Sequence, residues 1–509
     1  MPELEVNRNF TGGLRLVARK RMSTALHINR DFVPRNLTIP MTQQAGPAAV
    51  PLVEVGQTVH RGQLIGEPGE SPSTAVHASL SGHVTAVERR TVPGGNQLIQ
   101  ADCVVIKVDP EATASTAEVR WPESRSEQLE TLRNAGIVGL GGAAFPTAAK
   151  LRKNDGCHTL ILNGAECEPY ISCDDVLMRE HAREVLAGAR TMIELLDAKR
   201  CLVAVENDKP VAAEAITAAI DEIGDNRISL ARVPTVYPAG GERQLVEILT
   251  GEEVPSGDYP IACGCVCQNV GTAYAINRLL RHGEPLLTRI VTVTGEGITD
   301  PQNVEVPIGT PIKELIDHCG GYTEDVTRLI HGGTMMGYAI STDELPVTKA
   351  TNCVIAAHDS EVRDRYDEWP CIRCGDCAEV CPARLLPQEL LRYSRSFEFE
   401  ELDGLGLRDC IECGCCDVVC PSQIPLTAYF RGAKHAWAKH EQHQELADTS
   451  YIRFLSKQER LQLEQAEASS FRNELKAQVA ADSLTRHETI QAAIDRAQKR
   501  RSRDDEASE

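Results

Sequence analysis

Eight cysteines in two short runs carry the most specific chemistry in this chain. Residues 371–382 read CIRCGDCAEVCP and residues 410–421 read CIECGCCDVVCP. Each is C-x2-C-x2-C-x3-C-P: Cys371, Cys374, Cys377 and Cys381 before Pro382, then Cys410, Cys413, Cys416 and Cys420 before Pro421. Thiolates at this interval suit a four-iron cubane, because a tight loop can supply three ligands at two-residue gaps but not the fourth. The fourth cysteine of each run is therefore expected to cross to the other. One [4Fe-4S] cluster would take Cys371, Cys374, Cys377 and Cys420, and the second Cys410, Cys413, Cys416 and Cys381. Gly375 and Gly414 stand where each loop must turn sharply. Zinc also uses thiolates two residues apart, yet it needs neither a third cysteine at the same gap nor a proline after a fourth. Cys415 is surplus to the pattern and reads as a buried spare thiol.

Nine of the 19 cysteines crowd between Cys371 and Cys420, which favours metal over a disulfide scaffold of the small secreted kind. A further run, CGCVCQN, holds Cys263, Cys265 and Cys267. Its alternation on an extended segment is expected to send the thiols to opposite faces, so that they cannot share one ion.

A second chemistry is written in GIVGLGGAAFPTAAK, residues 136–150. Gly139, Gly141 and Gly142 allow bare backbone to approach a phosphate or a planar ring, and the helix that follows presents its N-terminus to an anion. Downstream, TLILN (159–163), a helical stretch from Val176 to Leu196, CLVAVEN (201–207), VAAEAITAAIDEI and RISLARV alternate as β-α-β-α-β. That alternation predicts a doubly wound parallel sheet with its ligand at the carboxyl ends of the strands. NGAECEP leaves its strand there, with Asn163, Glu166 and Glu168 at the edge. The two glutamates could be solvated loop acids, or they could receive hydrogen bonds from a ribose or an amide.

In order, GLGGAAFPT with its lysine, NGAECEP, YPAGGERQL (237–245) and NVGTA (269–273) resemble the flavin and NADH-binding subunit of respiratory complex I. They resemble more closely the C subunit of Rnf-type ion-translocating ferredoxin:NAD oxidoreductases, over about residues 10–430. The resemblance implies that Gly139, Gly141, Gly142, Lys150, Asn163, Asn269 and Thr272 hold FMN. It puts Phe145, Tyr237 and Glu242 on the nicotinamide side with Glu166 and Glu168, the candidate catalytic pair. Two positions depart from the complex I pattern: Leu140 stands for an arginine and Ala144 for a glycine. The implied activity is exchange of electrons between NAD(H) and the two clusters through FMN, which converts two-electron to one-electron transfer. Implied partners are the integral-membrane and other subunits of an Rnf complex, which couple the reaction to ion translocation, with ferredoxin or flavodoxin reached indirectly. The implied location is peripheral, on the cytoplasmic face of the bacterial inner membrane. A cobalamin reductase of the microcompartment type shares these motifs, and the N-terminal module described next argues against it. An electron-transfer adaptor without nucleotide binding is the other alternative, kept open by Ala144.

These residues need several modules to position them, and a chain of 509 residues has the length for them. Residues 35–118, with VPLVEVGQTVHRGQLIGEP and VHASLSGHVTAVE, resemble the barrel-sandwich module of lipoyl and biotin carriers. The expected tip, HASLSGHV, has no lysine, so the module reads as a structural adaptor, with His77 and His83 as turn or surface residues. The expected fold class is multidomain α/β. After an N-terminal segment (1–34) and the barrel-sandwich module come a Rossmann-like FMN/NADH domain (119–290) and a β-grasp module (291–360). An α-helical two-cluster ferredoxin domain (361–430) and a charged helical extension with a frayed tail (431–509) complete the chain. The extension could also dock on membrane subunits. A net charge of −20 speaks against nucleic acid or an anionic lipid surface as the main partner. No apolar run approaches the roughly 20 residues needed to span a bilayer, and the start lacks a secretory signal, so the chain is expected to be soluble and cytoplasmic.

Overall fold

The computed structural model describes residues 3–5, 10–111, 121–152, 156–362 and 367–506. The domain boundary expected at residue 119 and the end of the expected tail lie outside them. Residues 1–433 form one compact unit, and residues 434–509 a second.

At the centre of the first unit is a five-stranded parallel sheet in the order Glu3–Glu5, Ile228–Val233, Arg200–Glu206, Thr159–Gly164, Cys265–Asn269. Its inner strands are almost continuously apolar because helices cover both faces of such a sheet. Helices Cys173–Leu196 and Pro210–Ile223 make the crossovers. The first begins three residues before the expected Val176, with Asp174 and Asp175 in its first turn, where the helix dipole favours negative charge. From Thr159–Gly164 the chain winds outward to Ile228–Val233, then returns to the opposite side with Cys265–Asn269. The winding direction reverses between Asn163 and Asn269, which are register partners. A sheet of this kind opens its ligand crevice at that reversal.

The next module is a mixed sheet in the order Gln302–Pro307, Thr288–Thr294, Cys353–Ala357, Arg328–His331, Tyr338–Ile340. Cys353–Ala357 runs parallel to Thr288–Thr294, and the other pairings are antiparallel. Ile312, Leu315 and Ile316 of the single helix Ile312–His318 pack on Val291, Val293, Val304 and Val354. This is the β-grasp arrangement.

Two small sheets form the N-terminal module. Asn36–Pro40, Gln97–Val108, Gly82–Gly94 and Thr58–Val59 make one, and Val50–Pro51, Leu64–Glu67 and Val76–His77 the other. The turn after Val76–His77, where a carrier would expose its lysine, is tucked against protein: Ser79 Oγ donates to Ile308 O at 2.5 Å. His83 meets Thr58 Oγ1 at 3.0 Å on the exposed side. His77 does not behave as the surface residue expected, since its Nδ1 is buried without a partner among the described residues. Burial, then the charge of Lys349, pushes its pKa down to about 3.

In the cysteine-rich segment, short helices Asp376–Glu379, Pro387–Ser396, Phe399–Gly404 and Cys415–Val419 precede a long helix, Leu426–Glu506. In the second unit that helix is charged and solvent-exposed from Ala438 to Ser502, while Trp437 near its start is buried. No helix among the described residues is long and apolar enough to cross a membrane.

Lys349 joins three of these modules. Its buried Nζ donates to Ala75 O at 3.0 Å and Gly136 O at 2.7 Å, and its N–H to Gln43 Oε1 at 3.2 Å. Burial lowers its pKa to about 7 from an ordinary 10.5. The unfolded chain therefore holds this proton between about pH 7 and 10.5 while the fold does not, and stability from Lys349 rises with pH across that window. Thermal unfolding of wild type and Lys349→Met from pH 7 to 9 should show the wild type gaining on the variant as pH rises. A constant difference would contradict the assignment.

Candidate functional site

The glycine-rich loop closes on itself at the mouth of the crevice. Val138 and Pro146 form a bridge, Gly139 N donates to Phe145 O at 2.8 Å, and helix Thr147–Arg152 follows. Leu140 is gripped from both sides: its N–H reaches Thr272 Oγ1 at 2.9 Å, and its carbonyl accepts from Arg289 Nη2 at 2.5 Å. Gly141 lies against the Asn269 side chain, while at Gly142 (φ +107°) an added Cβ would meet nothing within 4 Å. Phe145 is 39 % exposed. Bare backbone facing open space beside an exposed ring fits a planar cofactor with a phosphate tail. Ala144 has φ +47°, a left-handed conformation that costs a non-glycine residue on the order of 1 kcal/mol. A glycine at this position in the complex I relative is therefore explained by the backbone.

The two asparagines at the reversal point shape its floor. Asn163 Nδ2 donates to Gly240 O at 2.8 Å and its Oδ1 accepts from Ala165 N at 3.0 Å. Asn269 Oδ1 caps its helix at Gly271 N (2.8 Å), and its Nδ2 donates to Asp174 Oδ2 at 2.6 Å. Lys150 is paired with Glu242 across the crevice, both partly exposed.

Glu166 is buried. Its Oε1 accepts from Asp174 N at 2.9 Å, and its Oε2 lies 3.5 Å from Lys20 Nζ. Its backbone carbonyl accepts from both Lys20 and Lys209. Glu168 points elsewhere, to Met335 N at 3.1 Å and Met336 N at 3.3 Å in the β-grasp module. Burial pushes its carboxyl up to about 6, against the pull of those two N–H groups. Asp174 is pushed up to about 7 by burial and then by Glu166. Burial also lowers the pKa of Arg289, whose Nη1 has no hydrogen-bond partner among the described residues. Tyr237 is buried, and its hydroxyl donates to Cys413 O at 2.7 Å, away from the open side of the crevice. Sequence reasoning missed Lys20, Lys209, Asp174 and Arg289. No motif marks them, because they arrive from the N-terminal segment, a strand end, a helix start and the β-grasp module.

The cysteines gather into two cavities. One is lined by Cys371, Cys374, Cys377 and Cys420, the other by Cys410, Cys413, Cys416 and Cys381 together with the surplus Cys415. Backbone conformation repeats with the sequence: φ is positive at Arg373 and Glu412, at Gly375 and Gly414, and at Arg384 and Gln423. Non-glycine residues held this way are strained, and the recurrence ties the strain to wrapping each loop around a common shape. Among the described residues, the one group of three acidic, histidine or cysteine ligand atoms within 4.8 Å of one another is Glu166, Cys173 and Asp174. Cys415 is buried beside Tyr237, outside the four-cysteine pattern. The expectation for Cys263, Cys265 and Cys267 needs correction. Residues two apart on a strand share a face, and all three lie in one apolar core, with thiol pKa values raised chiefly by burial.

Comparison with known proteins matches residues 132–278 to the Nuo51 FMN-binding domain and residues 8–111 to the RnfC barrel sandwich hybrid domain. Residues 290–339 match the SLBB domain and residues 359–424 the 4Fe-4S dicluster domain. These domains make the chain a multidomain flavin and iron-sulfur protein. The C subunit of the ion-translocating oxidoreductase complex of Pseudomonas aeruginosa is 44% identical over 89% of this chain and 58% of its own length. That of Pectobacterium atrosepticum is 39% identical over 97% of this chain and 71% of its own length. The chain belongs to the family of C subunits of ion-translocating oxidoreductase complexes. It spans about three fifths to seven tenths of the length of these two relatives. A solved NAD+-reducing [NiFe]-hydrogenase in the air-oxidized state is 19% identical, with a TM-score of 0.45 and 61% of each chain covered.

The two raised carboxyl pKa values lie above those of the unfolded chain, so these groups favour the fold increasingly as pH falls from about 7 towards 4. Infrared titration should show protonated-carboxyl bands appearing near pH 7 and near pH 6. Asp174→Asn should remove the first and Glu168→Gln the second. Persistence of both bands in either variant would refute the assignment.

Proposed function

We propose that this chain is the peripheral subunit of a membrane-bound Rnf-type complex in which electrons pass between NAD(H) and two [4Fe-4S] clusters through FMN. The observation that carries the reading is the convergence, in one compact unit, of two cysteine-lined cavities with a glycine-lined crevice at the reversal point of a parallel sheet. FMN would supply the conversion between hydride transfer and single-electron transfer. Gly139, Gly141 and Gly142 would lie against it, Lys150 would neutralise its phosphate, and Asn163, Asn269 and Thr272 hold the backbone that frames it. Phe145 would stack on the nucleotide, and the acidic loop of Glu166 and Glu168 would border the nicotinamide end, with the Glu168 carboxylate anchoring that loop to the β-grasp module and Glu242 free to leave Lys150 for a ribose. Cys371, Cys374, Cys377 and Cys420 would be the ligands of one cluster, and Cys410, Cys413, Cys416 and Cys381 those of the other, with Cys415 on the wall of the second cavity as a spare thiol.

Integral-membrane and other subunits would carry the electrons on, reach ferredoxin or flavodoxin, and couple transfer to ion translocation. With no spanning helix among the described residues, the chain would be held at the cytoplasmic face of the inner membrane by protein contacts.

Purified without oxygen, the chain should contain FMN and about eight iron atoms, and NADH should bleach its visible iron-sulfur absorbance. Bound clusters without flavin, or without a response to NADH, would favour the adaptor reading. Cys381→Ser should alter the electron paramagnetic resonance signal that also responds to changes at Cys410, and Cys420→Ser the signal that responds to changes at Cys371. The opposite pairing would refute the crossing.

A further inference from the structure

The two cysteine cavities are alike in backbone and unlike in surroundings. The contacts that tie the cysteine-rich segment to the rest of its unit gather on or beside the cavity of Cys410, Cys413, Cys416 and Cys381. Tyr237 Oη donates to Cys413 O at 2.7 Å, and the buried Cys415 lies against the same tyrosine, with Cys167 of the acidic loop in that apolar cluster. The N-terminal segment at Gly12–Leu14 forms a strap that stitches both sides together: Gly13 N donates to Val380 O at 2.9 Å, while Leu14 exchanges hydrogen bonds with Tyr237 at 2.7 and 2.9 Å. The strap runs so close that a Cβ on Gly12 would lie 2.7 Å from Cys381 O. A Cβ on Gly414 would lie 3.4 Å from the carbonyl of Met335, whose N–H is held by Glu168. Asp409, just before Cys410, meets Arg243 and Ser256, and Arg384, just after Cys381, pairs with Glu247 and Glu253.

The cavity of Cys371, Cys374, Cys377 and Cys420 is placed differently. Cys371 and Cys374 are exposed, Ile372 is 68 % exposed, and nearby hydrogen bonds stay inside the segment, from Trp369 N to Ser422 O and from Ser422 Oγ to Pro370 O.

From this asymmetry we infer that Tyr237 is a positioning residue for the iron-sulfur group of the second motif, which is the inner of the two, and that the group of the first motif is the outer, solvent-facing one. The inference rests on the proposal that both cavities hold [4Fe-4S] clusters. Tyr237 acts through Cys413. Its O–H dipole points its positive end at the carbonyl of a ligand residue, which favours the added negative charge of the reduced group. Its backbone also anchors the strap that lies on Cys381.

The test uses the full chain purified without oxygen, with the resonance signal of the first motif assigned by its change or loss in Cys371→Ser. Tyr237→Phe should make the second-motif group harder to reduce, lowering its reduced-to-oxidised ratio at fixed potential by up to about tenfold, the ceiling set by one whole hydrogen bond. The first-motif group should keep its midpoint. No shift, a shift in the first-motif group, or equal shifts in both would overturn the inference. A second measurement needs no variant at Tyr237: a soluble dysprosium chelate added to the wild-type chain should speed the spin relaxation of the first-motif signal more than that of the second. Equal or reversed enhancement would overturn the inner and outer assignment. A chain containing no iron and sulfide would overturn the underlying functional reading and this inference with it.

Discussion

At the carboxyl ends of Thr159–Gly164 and Cys265–Asn269 two parallel strands lie side by side, but the chain leaves them in opposite directions. No crossover can cover that point, so a crevice opens there and the loops around it hang from adjacent strands. The glycine-rich loop, the acidic loop and the turn at Tyr237–Glu242 reach one place because of this constraint. Asn163 and Asn269, register partners at the reversal, hold it open by bonding to the backbone on either side.

Charge collects beneath that crevice under conditions that penalise it. Glu166, Lys209 and Arg289 are buried and Asp174 and Lys20 half-buried, and each burial is costly unless opposite charges and hydrogen bonds offset it. Two lysines on the carbonyl of Glu166 fix the acidic loop, and Arg289 fixes the glycine-rich loop through Leu140 O. The loops that must present bare backbone and carboxylates to a ligand are thus held from below by residues that need not touch it. Such pre-organisation lets binding proceed without ordering the loops at that moment.

The cysteine segment answers a different constraint. Its two loops repeat the same strained backbone, and each borrows its last wall from the other, so neither cavity is complete alone. Docking that interlocked pair through Tyr237, the N-terminal strap and Met335 breaks its symmetry. The second-motif cavity is the one pressed against the rest of the unit, while Cys371 and Cys374 of the first stay exposed.

Local pattern carried much of this. The cysteine spacing implied two crossed sets because three thiols at two-residue gaps exhaust one loop, and the alternation of apolar runs implied the parallel sheet because strands buried on both faces must be apolar throughout. The glycine-rich and acidic loops were legible as motifs, and the missing lysine in HASLSGHV spoke against a swinging arm. The sequence by itself thus determined the modules and the residues able to do chemistry, since each of those signals is held within a few consecutive positions. Tertiary structure alone decided that Lys20, Asp174, Lys209 and Arg289 support the crevice, that Glu168 reaches the β-grasp module, and that Tyr237 turns to Cys413. These are contacts between residues tens to hundreds of positions apart, and their partners are chosen by the packing of whole modules, which no local pattern records.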